Sequence, residues 1–191
     1  RFRREAQSAA SLNHPNVVQA FDVGQTGDVH FIAMEYVEGK TVKELIDRRG
    51  FIDETASVEI VLQILSALHH AHENHLIHRD VKPANIMIGA FGEVQVVDWG
   101  MGKVLQSGGV ADEKLAADQQ SQLSVIETLR SSGHGTQSIL GSVMGTPAYM
   151  PPEQARGRVE EVDERTDVWS LGAILCEILT GSPPYVGEDL L

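Results

Sequence analysis

His78-Arg79-Asp80-Val81-Lys82-Pro83-Ala84-Asn85 sets a carboxylate, two cations and a side-chain amide within eight residues, between two apolar runs. Pro83 has no N–H to give a helix interior or a central strand, so the stretch is expected on a loop, where reactive groups are commonly held. A base, a flexible cation and an amide oxygen at this spacing suit chemistry on phosphate. The segments on either side decide what the loop hangs on.

Downstream, Asn85-Ile86-Met87-Ile88 and Val94-Gln95-Val96-Val97 flank Gly89-Ala90-Phe91-Gly92, the pattern of a β-hairpin. Asp98-Trp99-Gly100 follows at once, an acid between a strand and a glycine, where a cation can be held, although a plain turn is the commoner use of Asp-x-Gly. Upstream, Ile60, Val61, Ile64, Leu65 and Leu68 recur every three or four residues, so a helix with one buried face runs from Asp53 to near Asn74. Its last turns carry His69, His70, His72 and His75. The pairs His69/His72 and His72/His75 share a face, which makes a metal site one reading; the other is that imidazoles suit the negative end of a helix.

Nearer the start, Phe2, Ala6, Ala9 and Ala10 predict an amphipathic helix ending before Asn13-His14-Pro15, with Glu5 on it. Val17-Val18-Gln19-Ala20-Phe21 and His30-Phe31-Ile32-Ala33-Met34 read as the strands of a hairpin, joined through Gly24-Gln25-Thr26-Gly27-Asp28. Glu35-Tyr36-Val37-Glu38-Gly39-Lys40 breaks the pattern and reads as a linker between two lobes. Thr41 then caps a helix, with Glu44 completing a capping box. Beyond the hairpin after Asn85, residues 106–145 turn to Gln, Ser, Gly and small side chains, a long insert with a short helix expected within 111–129. Gly145-Thr146-Pro147-Ala148-Tyr149-Met150-Pro151-Pro152-Glu153 restores defined turn chemistry. From Asp167 to Leu179 runs an apolar helix halted by Thr180-Gly181-Ser182-Pro183-Pro184.

The formal net charge is −12 over 191 residues, and no run of Lys or Arg appears. That balance argues against nucleic acid and anionic membrane surfaces as partners. Cys176 is the lone cysteine, which excludes an internal disulfide and a cysteine-only zinc site and fits a reducing, cytoplasmic setting. A hydrophobic content of 42% is enough for one core or two small lobes. The longest apolar-rich run, from Val168 to Leu179, is too short to span a bilayer. The sequence opens without Met inside a helical pattern and stops soon after a turn, so a fragment of a longer protein, whose full length could be membrane-anchored, is expected.

Taken in order, Glu5, the 35–40 linker, His78 to Asn85, Asp98-Trp99-Gly100 and Pro151-Pro152-Glu153 resemble the signature set of eukaryotic-type (Hanks-type) serine/threonine protein kinases, in wording most like bacterial members. The resemblance covers the whole chain. It implies an α+β, protein-kinase-like two-lobe fold, truncated: residues 1–34 as a partial small β-rich lobe, 35–40 as the hinge and 41–191 as an incomplete helical large lobe. Residues 98–153 would be an activation segment with an insert at about 106–141. The implied activity is ATP-dependent phosphorylation of serine and threonine hydroxyls on protein substrates, with Mg2+. Asp80 would accept the hydroxyl proton, Lys82 would meet the moving phosphoryl group, and Asn85 and Asp98 would bind the metal. Adenine would dock on the Glu35 carbonyl and the Val37 amide, with Met87 as an apolar wall and Met34 at the pocket's rear. Glu5 would pair with the nucleotide-binding lysine of the small lobe. Arg79 implies activation by phosphorylation, with Ser138 and Ser142, then Thr136, as acceptors, and dimerisation for autophosphorylation goes with it. Thr146 is expected to buttress Asp80 and Lys82, and Asp167 to hold the backbone of the loop.

Three departures from the family pattern stand out. Trp99 replaces Phe, an enlargement that costs roughly 1–3 kcal/mol unless neighbours shrink, and Ala9 and Ala20 are expected to make the room. Pro151 stands where the family has Ala. The glycine-rich loop and its lysine are absent, as is the arginine that pairs with the A-P-E glutamate. Glu5 and Glu153 are therefore expected to lack partners, and the 191-residue chain alone to bind ATP weakly and turn over little. Two other function classes are a pseudokinase or docking module that keeps the fold without turnover, and a His-based metal protein. Retention of Asp80, Lys82, Asn85 and Asp98 together favours the kinase.

Overall fold

A computed structural model describes residues 10–27, 29–99, 103–104 and 146–185. In chain order they form β1 (Ala20–Thr26), β2 (Val29–Met34), β3 (Gly39–Thr41), α1 (Val42–Arg49), α2 (Glu54–Glu73) and β4 (Leu76–Ile77). After these come β5 (Ile86–Gly89), β6 (Val94–Val96), β7 (Lys103–Val104), the one-turn α3 (Pro152–Ala155) and α4 (Glu164–Thr180). The strands make three antiparallel sheets, β1-β2, β3-β5-β6 and β4-β7. The architecture is α+β, as expected. Of the helix expected to carry Glu5 only residues 10–12 are described, with Ala10 helical, Ser11 in a turn and Leu12 irregular; Glu5, Ala9 and the insert lie outside the described residues.

The first hairpin is shifted along the chain. Val17 and Val18 do not open β1; they are buried beside β6, where the Val18 N–H donates to the Val96 carbonyl at 3.1 Å and the Val96 N–H to Asn16 at 2.8 Å. Two consecutive β-branched apolar residues are more stable in the core than alternating across a half-exposed strand. Gly24, Gln25 and Thr26 belong to β1 rather than to the turn, since Thr26 pairs with Val29 and the loop shrinks to two residues, opened by Gly27 at φ +59°. Gly24 stays in the strand because the ring of Phe31, its partner in register, lies where a β-carbon would stand. Within the expected linker, residues 35–38 are irregular, whereas Gly39 and Lys40 lie in β3 and pair with Gly89 and Ile88 of β5.

Helix starts follow their caps. At α1 the Glu44 N–H donates to Thr41 Oγ1 (3.1 Å) and the Thr41 N–H to Glu44 Oε2 (2.8 Å), the expected capping box. At α2, Asp53 accepts from the Ala56 N–H at 3.1 Å, and Ile60, Ile64, Ala67, Leu68 and Ala71 form the buried stripe. Leu65 corrects the expected face, being 45% exposed, because it lies one position round from the stripe set by Ile64 and Leu68. α4 begins at Glu164, three residues ahead of expectation, because Asp163 caps it by accepting from the Arg165 N–H at 2.9 Å. The Arg165 guanidinium, forked onto the same carboxylate at 2.7–3.0 Å, holds the Asp163 carboxyl below its ordinary range.

One core joins these pieces: Leu12, Val17 and Val18 meet Ile64 and Leu68 of α2, Val94 and Val96 of β6, and Ile174 and Ile178 of α4. Among the described residues no helix is long and apolar enough to cross a membrane. The C-terminal end of α4 is closed by Gly181 at φ +79°, whose missing β-carbon is the space filled by the Gly50 carbonyl at the end of α1. Gly181→Ala therefore meets both left-handed strain and a backbone clash, and we expect a loss of about 2–3 kcal/mol in urea unfolding. Gly157→Ala has the strain (φ +69°) with open space around it, and should lose about 1 kcal/mol. Equal losses would show that the Gly50 contact is worth nothing.

Candidate active site

Residues 78–82 form an irregular strap between β4 and a 3-10 turn at Pro83–Asn85, so the proline opens a turn as its chemistry requires. The strap is pinned from below by Asp167 of α4, fully buried, whose Oδ2 accepts the His78 N–H and whose Oδ1 accepts the Arg79 N–H, both at 2.8 Å. His78 is itself buried: its Nδ1 accepts the Asp80 N–H (3.3 Å), so Nε2 carries the proton and donates to the Val97 carbonyl (3.0 Å). The Trp99 ring packs against it with centroids 4.6 Å apart, and the indole N–H donates to the Val96 carbonyl at 3.1 Å. A phenylalanine has no such donor.

Held this way, Asp80 sits at the centre of a closed polar group. Lys82 Nζ donates to Asp80 Oδ2 at 2.6 Å and to Thr146 Oγ1 at 3.0 Å, while the Thr146 hydroxyl donates to Asp80 Oδ1 at 3.2 Å. The buttress expected of Thr146 is therefore present. Asn85 Nδ2 donates to the Asp80 carbonyl at 2.9 Å, with Asp80 Oδ2 at 3.4 Å. Its nitrogen being spent there, the amide presents its oxygen elsewhere. The Val97 N–H donates to the Asn85 carbonyl at 2.9 Å, so pairing of β5 with β6 continues to these two residues, and Asp98, exposed and at φ +60°, follows Val97 directly. An amide oxygen and an exposed carboxylate are hard donors of the kind a small divalent cation takes.

The expected adenine-side residues fall on connected backbone. Met34 ends β2, and the Glu35 N–H donates to the Gln19 carbonyl at 2.8 Å, tying this point through Val18 to β6 and so to the strand that ends before Asp98. Val37 is half-buried against the core, and Met87 on β5 pairs with Thr41 and Gln95. Glu5, Thr136, Ser138 and Ser142 lie outside the described residues. A cavity of about 450 Å³ opens beside α3 and the start of α4, with Glu153, Glu161, Asp163 and Trp169 among its lining. Neither Asp80, Lys82, Asn85 nor Asp98 borders it, so it is not where these groups act.

Several contacts were not legible beforehand. His72, weighed as a metal ligand, turns its Nε2 to Asp167 Oδ2 at 2.8 Å, and His69 lies 3.6 Å from Glu73. The signal for His72 was its spacing four residues past Leu68 on the buried stripe. Glu153, expected to lack its arginine partner, accepts a hydrogen bond from the Thr166 hydroxyl at 2.9 Å. Tyr149 donates to the buried Glu177 at 2.5 Å while its carbonyl accepts from the Ser170 hydroxyl at 2.9 Å. Burial first, and then the bond to Glu177, push the phenol up, so it stays a donor.

The strap thus sets an acid, a lysine and an asparagine together, pinned by the buried Asp167 of α4, with Asp98 two residues past the end of β6. The chain belongs to the protein kinase domain family, which it matches over residues 1–190. It is 42% identical over 193 residues to the serine/threonine-protein kinase PknB of Mycobacterium leprae (strain TN), covering 99% of this chain and 26% of that protein. It is 41% identical over 189 residues to the serine/threonine-protein kinase PrkC of Bacillus subtilis (strain 168), covering 99% and 25%. The chain thus spans about a quarter of the length of the curated relatives it matches.

Proposed function

We propose that the protein carrying this chain transfers the γ-phosphoryl group of ATP to serine and threonine hydroxyls of protein substrates. The observation that carries this is the closed group of Asp80, Lys82 and Thr146, with Asn85 fixed to the Asp80 backbone. In the proposed reaction Asp80 takes the proton of the incoming hydroxyl through a carboxylate oxygen. Thr146 and Lys82 aim that carboxylate, and the Lys82 ammonium, a mobile point charge, neutralises charge on the phosphoryl group. Asn85 through its amide oxygen and Asp98 through its carboxylate would hold Mg2+, which when bound neutralises phosphate charge.

Residues 35–40 serve as the hinge, with the Glu35 carbonyl and Val37 amide on the adenine edge, Met87 as an apolar wall and Met34 at the pocket's rear. Residues 1–34 then form part of the small lobe, residues from 41 the large lobe, and 98–153 the activation segment with its insert at about 106–141. Glu5 pairs with a nucleotide-binding lysine. Thr136, Ser138 and Ser142 are the proposed phosphate acceptors that Arg79 reads, filled by a second copy of the protein. The reaction draws on cytoplasmic ATP. A docking module without turnover has no chemical need for Asp80, Lys82, Asn85 and Asp98 at once, which is the support for catalysis over that alternative. Incubating the native protein with ATP, Mg2+ and a serine- and threonine-rich protein should yield phosphoserine and phosphothreonine and no phosphotyrosine. Nucleotide binding without any phosphate incorporation would overturn the reading.

A further inference from the structure

We propose that Gln154 is a positioning residue for Asp80, acting through the peptide bond that precedes it; the inference rests on the reading of Asp80 as the base. Gln154 lies in α3, is 7% exposed, and donates through Nε2 to the Arg79 carbonyl at 2.9 Å. That carbonyl belongs to the same planar unit as the Asp80 N–H, because the peptide bond joining residues 79 and 80 does not rotate. The Asp80 N–H donates to His78 Nδ1 at 3.3 Å, a long and correspondingly weak bond. Of these two hydrogen bonds, the one from Gln154 is the shorter.

The plane needs holding. Arg79 stands at φ +67°, a conformation that residues with a β-carbon adopt only where surroundings impose it. Asp167 fixes the N–H side of Arg79 at 2.8 Å, and Gln154 fixes its C=O side. If the Gln154 bond is lost, the residue can relax toward negative φ, the plane tilts, and the Asp80 carboxylate leaves the positions from which it meets Lys82 and Thr146. The stretch from 146 to 154 thereby grips Asp80 twice, by the Thr146 hydroxyl on its side chain and by Gln154 on its backbone. A displacement anywhere along that stretch reaches the base by both routes.

The test compares Gln154→Leu and Gln154→Glu with the native protein. Both variants keep the bulk and remove the amide donor. Steady-state kinetics should give kcat lower by about tenfold, the usual consequence of one net hydrogen bond, with the KM for ATP within about twofold. Hydrogen exchange should speed up by about tenfold at the Asp80 and Lys82 amides and stay unchanged in α2. Unchanged exchange in the strap, or equal loss of protection throughout α2 and α4, overturns the assignment. A native protein that transfers no phosphate sinks the reading of Asp80 as a base, while the exchange comparison still decides whether Gln154 holds the strap.

Discussion

Asp80→Asn should lower kcat by about a thousandfold, within the range of roughly 10²–10⁴ that a positioned general base contributes, and leave the KM for ATP within about threefold. The substitution keeps the shape of the side chain. An asparagine oxygen can still accept from Thr146 or from Lys82, so the strap has little reason to move, but the amide cannot take a proton from a hydroxyl. The competing explanation for lost activity is lost structure, and magnitudes separate the two. Asp80 and Lys82 are a contact ion pair at 2.6 Å with side-chain exposures of 6% and 24%. Lys82 keeps Thr146 as a partner and reaches water, so removing the charge opposite it should cost about 1 kcal/mol rather than the several expected for a sealed pair. A shift of a few degrees in Tm cannot account for three orders of magnitude in rate. Activity within tenfold of the native protein would show that another group takes the proton.

How much of this was readable in advance depends on the range over which each feature is decided. Caps and stripes are local, and Thr41, Asp53 and the Ile60–Ile64–Leu68 spacing announced α1 and α2 without help from the rest of the chain. The His78 to Asn85 strap was legible because its residue types are dense and Pro83 excludes regular structure around it. Failures came where a distant surface sets the outcome. Val17 and Val18 read as a strand of the hairpin and instead complete the core against β6, 78 residues away in sequence. Leu65 and Leu68 are alike by composition, and only the packing of α2 exposes one and buries the other. β4 and β7, two residues each, carry no periodicity at all; they pair with each other across the loop and the second hairpin. His72 offered two chemistries, metal ligation or a hydrogen bond, and the choice was made by Asp167, 95 residues on. Gln154 carried no signal, because a glutamine after a turn is ordinarily a solvated side chain.

Asp167 is where the fold and the proposed chemistry depend on one side chain, and Asp167→Ala should be the most destabilising of the substitutions considered, by about 3–5 kcal/mol in urea unfolding. The carboxylate is fully buried and accepts three hydrogen bonds, from the His78 N–H, the Arg79 N–H and His72 Nε2. Alanine leaves all three donors facing a void. Two of them are backbone groups that cannot turn to water without moving the strap, and each such orphan costs about 1–3 kcal/mol. Asp167→Asn separates the contributions. With its oxygen in place of Oδ2 it still accepts from both His78 and His72, and its NH2 then points at the Arg79 N–H, donor against donor. One orphan instead of three predicts a loss of about 1–3 kcal/mol, and the orphan is the amide of the residue held at φ +67°. The asparagine variant should therefore remain folded at 25 °C while Arg79 escapes its strained conformation and Asp80 loses its place, so that kcat falls by more than stability does. His72→Ala probes the third bond alone. It frees one lone pair of Asp167 without touching the strap, and should cost about 1 kcal/mol with kcat nearly unchanged. A loss under about 1 kcal/mol for Asp167→Ala would mean that the strap is held by its neighbours in the sheet and not by α4.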